Sequence, residues 1–268
     1  MKKLIILSFF TFLICFQAQS QVSLGIRTGG SSNFFSLPEE ITNLTLKSLI
    51  GYHAGVVAEI PIGSRLAIQA EVVYTLRGSK IDLRYLSERK VLLKDDTVTY
   101  AVAYENRTTS LRYIDVPLLL KYKFRGRPIG GYILAGFNFG NGIGGQENLT
   151  ILNANRQSFK KETLLLKQLN LDKADPINFG PDSDPNNDYL PNNNGWITGA
   201  GLSLDTDLLR FNLDLRYFLG ASSIWNPNEK RSSLNYYTWT PSDPENFFIK
   251  NRSFQLSLTV LYPLGGGW

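Results

Sequence analysis

Cysteine and histidine each occur once in the 268 residues, as Cys15 and His53, and after Phe16 there is no long apolar run. A single cysteine excludes a disulfide-stapled secreted domain. A membrane-spanning helix needs about 20 consecutive apolar residues, so the missing runs exclude a helical inner-membrane protein. Clustered basic charge is also absent. Two units of the formal net charge of +5 belong to Lys2 and Lys3, and the other basic residues are scattered, which excludes a nucleic-acid partner. No residue pattern asks for a cofactor.

The N-terminus sets the compartment. Met1-Lys2-Lys3 is a basic n-region and Leu4 to Phe16 an apolar h-region, with small residues at Ala18 and Ser20 for cleavage. Residues 1–20 are expected to be a secretory signal, and residues 21–268 one β-barrel domain. Cys15 falls inside the signal and follows Ile14, which argues against lipidation.

Period-two alternation in the mature chain gives eight segments: Val22 to Gly30, Gly51 to Ile62, Arg65 to Gly78, Leu111 to Phe124, Gly131 to Gly140, Trp196 to Asp205, Arg210 to Gly220 and Arg252 to Leu264. Each has roughly the 9 to 11 residues of a tilted transmembrane strand, or slightly more. Connections after even-numbered segments are tight: Pro61 to Arg65, Arg125 to Gly131 and Asp205 to Arg210. Those after odd-numbered segments are long and polar, at about residues 31–50, 79–110, 141–195 and 221–251. Loop length sorted by parity is what a membrane meander produces, with periplasmic turns on one side and extracellular loops on the other. The expected fold is all-β, an eight-stranded antiparallel up-and-down barrel in a bacterial outer membrane, with lipid outside it and protein partners reached through the loops.

The two faces of the segments differ. In segment seven Phe211, Leu213, Leu215, Tyr217 and Leu219 would face lipid and Asn212, Asp214 and Arg216 the lumen. In segment eight Phe254, Leu256, Leu258, Val260 and Tyr262 alternate with Ser253, Gln255, Ser257 and Thr259. Extending this parity puts Glu59, Glu71, Asp115, Asp205 and Asp214 inside with Arg27, Arg77, Lys121, Lys123 and Arg216. An eight-stranded barrel is only wide enough for its own side chains. The balance of signs therefore predicts a charge-paired plug, not a pore, with Gly25, Gly55, Gly199 and Gly201 making room. Aromatics near segment ends predict interfacial girdles: Tyr52, Tyr74, Phe139, Trp196 and Tyr217 toward the loops, Tyr122, Phe124, Phe211 and Tyr262 toward the turns. Trp268 ends the chain like an outer-membrane assembly signal.

Few residues suggest other chemistry. His53 faces inward by parity and could pair with Ser31 or Ser32 in a membrane-embedded enzyme acting on lipid, but no serine sits in an elbow motif, so a packed lumenal histidine is the expectation and the protein is read as non-enzymatic. Asp182 to Asp188 spaces oxygen ligands as calcium loops do, yet Asn187 replaces the sixth-position glycine and Asn193 the closing glutamate. Phe159, Leu165, Leu166 and Leu169 recur at helical spacing within Ser158 to Lys173, which predicts a short helix over the barrel mouth. Tyr236-Tyr237-Thr238-Trp239 could stack on a ligand or lie on headgroups.

The fourth segment, LRYIDVPLLLKYKF, carries Asp115, Lys121 and Lys123 among leucines and Pro117 at its centre. A closed barrel has no free edge for an unpaired proline, so a bulge or kink is expected at Pro117. With GYHAGVVAEI, LAIQAEVVYTLRG, YILAGFNFG, ITGAGLSLD and LDLRYFLG, this segment resembles the PorT-like outer-membrane β-barrel family. The resemblance implies an eight-stranded barrel of uncharacterised activity. It also offers a link to type IX protein secretion through the founding member. A scaffold displaying loops, an accessory of secretion or envelope integrity, and a narrow transport channel are the roles to weigh.

Overall fold

Alternating apolar and polar residues can bury one face of a strand only if the sheet is covered or closed, and here it closes. The computed structural model describes residues 22–37, 44–87, 101–124, 126, 128–155, 168–169, 175–177, 190–224 and 249–264. Ten strands result: β1 Ser23–Ser36, β2 Leu44–Ile62, β3 Leu66–Ser87, β4 Ala101–Lys123, β5 Ile129–Asn155, β6 Gln168–Leu169, β7 Asp175–Ile177, β8 Gly195–Asp205, β9 Arg210–Gly220 and β10 Lys250–Pro263. The sheet runs β4-β3-β2-β1-β10-β9-β8-β5, and pairing of β4 with β5 joins its ends. The result is an eight-stranded antiparallel barrel, with β6 and β7 as short additions to the edge of β5.

The turn-side ends lie where the sequence puts them. Type of turn is legible there because Gly63, with φ of 77°, occupies a left-handed position in the β2–β3 connection. The loop-side ends differ. Residues 31–36, 44–50, 79–87, 101–110 and 141–155, expected in loops, are strand. β5 reaches 27 residues, roughly 90 Å at ~3.3 Å per residue, far more than a bilayer crossing needs. Polar side chains at those positions hid the continuation, because above the membrane neither face of a sheet must be apolar.

The long strands share one side of the barrel. β4 pairs with β3 from Tyr122 to Ala101 and with β5 from Lys123 to Ala101, while β9 stops at Gly220 and β8 starts at Gly195. The chain after β5 returns along its edge. Leu169 pairs with Ile151, Ile177 with Gly145, Asn192 with Asn141, and Gly195 with Asn138. The helix expected over Ser158 to Lys173 is corrected at Gln168 and Leu169, which are strand; edge hydrogen bonds offered by β5 outweigh local helical spacing. The remaining residues of that segment lie outside the described ones, as do residues 1–21, Asp182 to Asp188, Tyr236 to Trp239 and Trp268.

The irregularity expected at Pro117 is placed elsewhere. On the β3 side one register holds on both sides of the proline, Ala70 opposite Leu118 and Val73 opposite Asp115, with pairing interrupted only at Glu71 and Val72. The lost donor opens two positions of ladder without shifting it. The register shift lies five residues earlier, at Arg112 and Tyr113 opposite β5. Gly144 takes φ of 150° there, a conformation that L side chains rarely adopt. A second shift separates Ser48 from His53 in the β2–β3 ladder.

The outer surface is apolar. Leu213, Leu215 and Leu219 of β9 and Phe254, Leu256 and Leu258 of β10 are exposed while the intervening residues are buried. Toward the loop end of this surface runs a belt of rings. Phe254 lies 4.8 Å from Tyr217 and 6.4 Å from Phe34, Tyr52 6.1 Å from Tyr74, and Phe137 about 5 Å from Trp196 and Phe139. These are the distances of favourable edge and tilted contacts, at the level where amphipathic rings anchor barrels in lipid.

Candidate functional site in the barrel lumen

Eight residues point from the wall to the axis and carry charge into a space closed to water: Arg27, Glu59, Glu71, Arg77, Asp115, Lys121, Asp214 and Arg216 are all at most 3% exposed. Strand alternation brings each inside, and the barrel's shear decides its neighbours. An isolated buried charge is prohibitively costly, so every one of them needs a partner.

The partners form three levels. Nearest the turns, the Glu59 carboxylate accepts from Lys121 Nζ at 2.9 Å and from Lys123, and Arg210 Nη1 lies 3.4 Å from it. Arg210 also forks onto Asp205, with Nη2 donating to Oδ2 at 2.8 Å. In the middle, Glu71 takes one arginine on each oxygen: Arg27 Nη1 on Oε2 and Arg216 Nη1 on Oε1, both at 2.8 Å. Gln69 donates to the same carboxylate, and Arg216 reaches on to Asp214, which also accepts from the Tyr132 hydroxyl at 3.1 Å. Toward the loops, Arg77 pairs with Asp115 at 2.8 Å, and Asn138 donates to that carboxylate at 2.9 Å.

Two cations also lie against rings. The Arg77 guanidinium is 4.0 Å from the centroid of Phe218, and Lys121 Nζ is 3.8 Å from that of Tyr132. Cations are attracted to the negative face of an aromatic ring. Tyr132 and Phe218 belong with Leu119, Leu134 and Ile197 to an apolar patch inside the barrel. The lumen is therefore less uniformly polar than the alternation suggests.

A lid of uncharged side chains closes the loop end. Asn138 and Asn251 meet Asn193, through its backbone oxygen at 3.3 Å and its side-chain oxygen at 3.1 Å. Above them Phe35, Ile81, Leu111, Tyr113, Ile224 and Ile249 form a buried cluster. Asn193 therefore has a described role, closing the lumen.

His53 is buried as expected, but its partner is Ser257 of β10, with Nε2 and Oγ 2.9 Å apart. Ser31 and Ser32 are strand residues of β1, and Ser31 accepts from Asn33 at 2.9 Å. No hydrogen-bond partner reaches His53 Nδ1, so a carboxylate-supported triad is missing among the described residues. Ser257 Oγ is also occupied by Arg27 Nη2 at 2.7 Å. No cluster of His, Cys, Asp or Glu able to hold a metal occurs among the described residues.

Of the four expected space-making glycines, Gly201 acts so most directly, since an added Cβ would meet Tyr132 Cζ at 2.5 Å; at Gly199 it would meet the Leu215 carbonyl oxygen at 2.6 Å and then Arg216 Cγ at 3.0 Å. At Gly25 and Gly55 it would strike the neighbouring strand's carbonyl oxygen, at 1.9 and 2.2 Å. Those two permit close backbone approach. Arg210 was hidden in the sequence because it abuts the turn, although one more step of the Asn212, Asp214, Arg216 alternation reaches it. Ile224, Ile249 and Asn193 lie outside the alternating segments and gave no signal.

The family model for the outer membrane protein beta-barrel domain matches residues 17–226. The chain belongs to this family. In this chain the apolar exterior and the ion-paired interior are the two faces of the same strands. Among solved structures, the chain is similar to Neisserial surface protein A, at 12% identity over 90% of this chain and 97% of that one, with a TM-score of 0.36. It is also similar to Ail, the attachment invasion locus protein of Yersinia pestis, solved with the heparin analogue sucrose octasulfate, at 10% identity over 90% and 98%, TM-score 0.36. No curated protein matches the sequence.

Proposed function

We propose that this outer-membrane barrel is a non-enzymatic scaffold. It anchors a raised β-wall and its loops for contact with protein partners, as an accessory of secretion or of envelope integrity. One observation carries the reading: β3, β4 and β5 continue as paired sheet well past the bilayer, above a lumen filled by ion pairs. A channel needs a path through the lumen, and the levels from Glu59 to Ile249 occupy it. A lipid-modifying enzyme needs a reachable nucleophile, and Ser257 and His53 are 1% exposed. The PorT-like resemblance favours secretion within the scaffold class.

The test separates scaffold from channel and enzyme. The hairpin tip, residues 83–105, is replaced by a two-residue turn, and folding is checked by heat-modified gel migration. Cross-linked partners should be captured from intact outer membranes with the full-length protein and lost with the shortened one, and deletion should change the secreted-protein profile. Porin-scale conductance in planar bilayers, or loss of a lipid modification on His53→Ala, would overturn the reading.

A further inference from the structure

The charge on the outside of the barrel is as uneven as that inside is balanced. Just above the aromatic belt, on the lipid-facing side of the strands, stand Lys47 of β2, Lys80 of β3, Arg112 of β4, and Lys250 and Arg252 of β10. The outward side is set by alternation with buried neighbours: Ser79 and Ile81 flank Lys80, Leu111 and Tyr113 flank Arg112, and Asn251 and Ser253 flank Arg252. Asp82 is the acid described at this level, and it pairs with Lys47.

Two of these cations face each other, and the described ion pair at this level, with Asp82, is made by Lys47. Lys47 and Lys80 are directly opposite in the β2–β3 register, where like charges destabilise a sheet. Arg112 is opposite Leu76, one outward pair above Tyr74, with which its side chain also hydrogen-bonds, and Arg252 is opposite Phe34 at the upper edge of the belt, two residues above Phe254. At ~3.3 Å per residue, reduced by strand tilt, the collar runs from the upper edge of the belt to roughly 15 Å above it. That is the headgroup depth, since the belt marks the interface.

We infer that this collar of Lys47, Lys80, Arg112 and Arg252 binds the phosphate groups of anionic lipid in the outer leaflet. Asp82 serves Lys47, and phosphate would supply further anionic oxygens that can bridge Lys47 and Lys80 and accept a forked pair from an arginine. Lysine stems lie along the apolar wall and lift their ammonium groups to the headgroups. The lipid shell so held would fix the depth at which the wall stands above the membrane.

Native mass spectrometry of the detergent-folded protein tests this, with diphosphorylated lipid A, its dephosphorylated form, and inorganic phosphate as probes. Wild type should retain the diphosphorylated lipid selectively. K47Q/K80Q/R112Q/R252Q should weaken it by about fivefold per cation removed, from the roughly constant contribution of each surface cation. These side chains lie outside the lumen, so heat modifiability should persist; if the quadruple variant does not fold, K80Q/R112Q is read instead. Equal retention of the dephosphorylated lipid, equal binding by the variant, or displacement by millimolar inorganic phosphate would each overturn the proposal.

Discussion

Replacing Glu71 with glutamine should damage the barrel out of proportion to the atoms changed. The carboxylate neutralises Arg27 and Arg216 at 2.8 Å each, and all three groups are at most 2% exposed at the side chain. Glutamine offers one acceptor oxygen in place of two charged ones. Arg216 keeps Asp214, whereas Arg27 is left with Ser257 and Gln255 alone. Breaking a buried pair on one side costs about 3–5 kcal/mol. Because Arg27 keeps two neutral acceptors, the lower half of that range is expected. The exposed pair Lys47–Asp82, with the lysine side chain 58% exposed, supplies the contrast: Asp82→Asn should cost less than about 1 kcal/mol. Urea unfolding from lipid vesicles, followed by gel migration, measures both. A third variant, R27M/E71L, removes charge in balance and should recover most of the loss, since well-packed apolar replacements of buried pairs are often neutral. A cost for E71Q no larger than that for D82N, or a double variant worse than the single, would refute the claim that pairing holds the lumen together.

Gly201→Ala should displace the Tyr132 ring, whose hydroxyl would lie 2.6 Å from the new Cβ, and break the Tyr132–Asp214 contact; a loss of about 1–3 kcal/mol is expected in the same assay. Pro117→Ala restores a donor where the β3 ladder is interrupted. The regained hydrogen bond, about 1 kcal/mol, offsets lost ring packing, so stability should stay within about 1 kcal/mol of wild type. With W225F/W239F/W268F, the remaining Trp196 is 60% exposed on the belt beside Phe137. Its emission should be quenched by lipids brominated near the headgroup more than by those brominated at the chain ends.

The sequence was informative wherever the bilayer imposed chemistry on it. A strand crossing lipid must be apolar on one face, and its partner face must balance its charges; Leu213 and Asp214 show both rules side by side. Where the sheet rises above the membrane that demand ends, and residues 101–110 and 141–155 looked like loops. Pro117 misled for a related reason: a missing donor was expected to distort the strand, yet a long ladder in one register can omit two pairs and keep its course.

By itself the sequence determined the number of barrel strands, the side that residues of the alternating segments face, the short turns and the near balance of lumenal charge, because all of these follow from local alternation and length. Tertiary structure alone decided which ions meet. Glu71 joins Arg27 and Arg216, 44 and 145 residues away, through shear and closure that no local pattern encodes. It also decided that Asn193, Ile224 and Ile249 seal the lumen, since the space they fill exists only once the ring has closed.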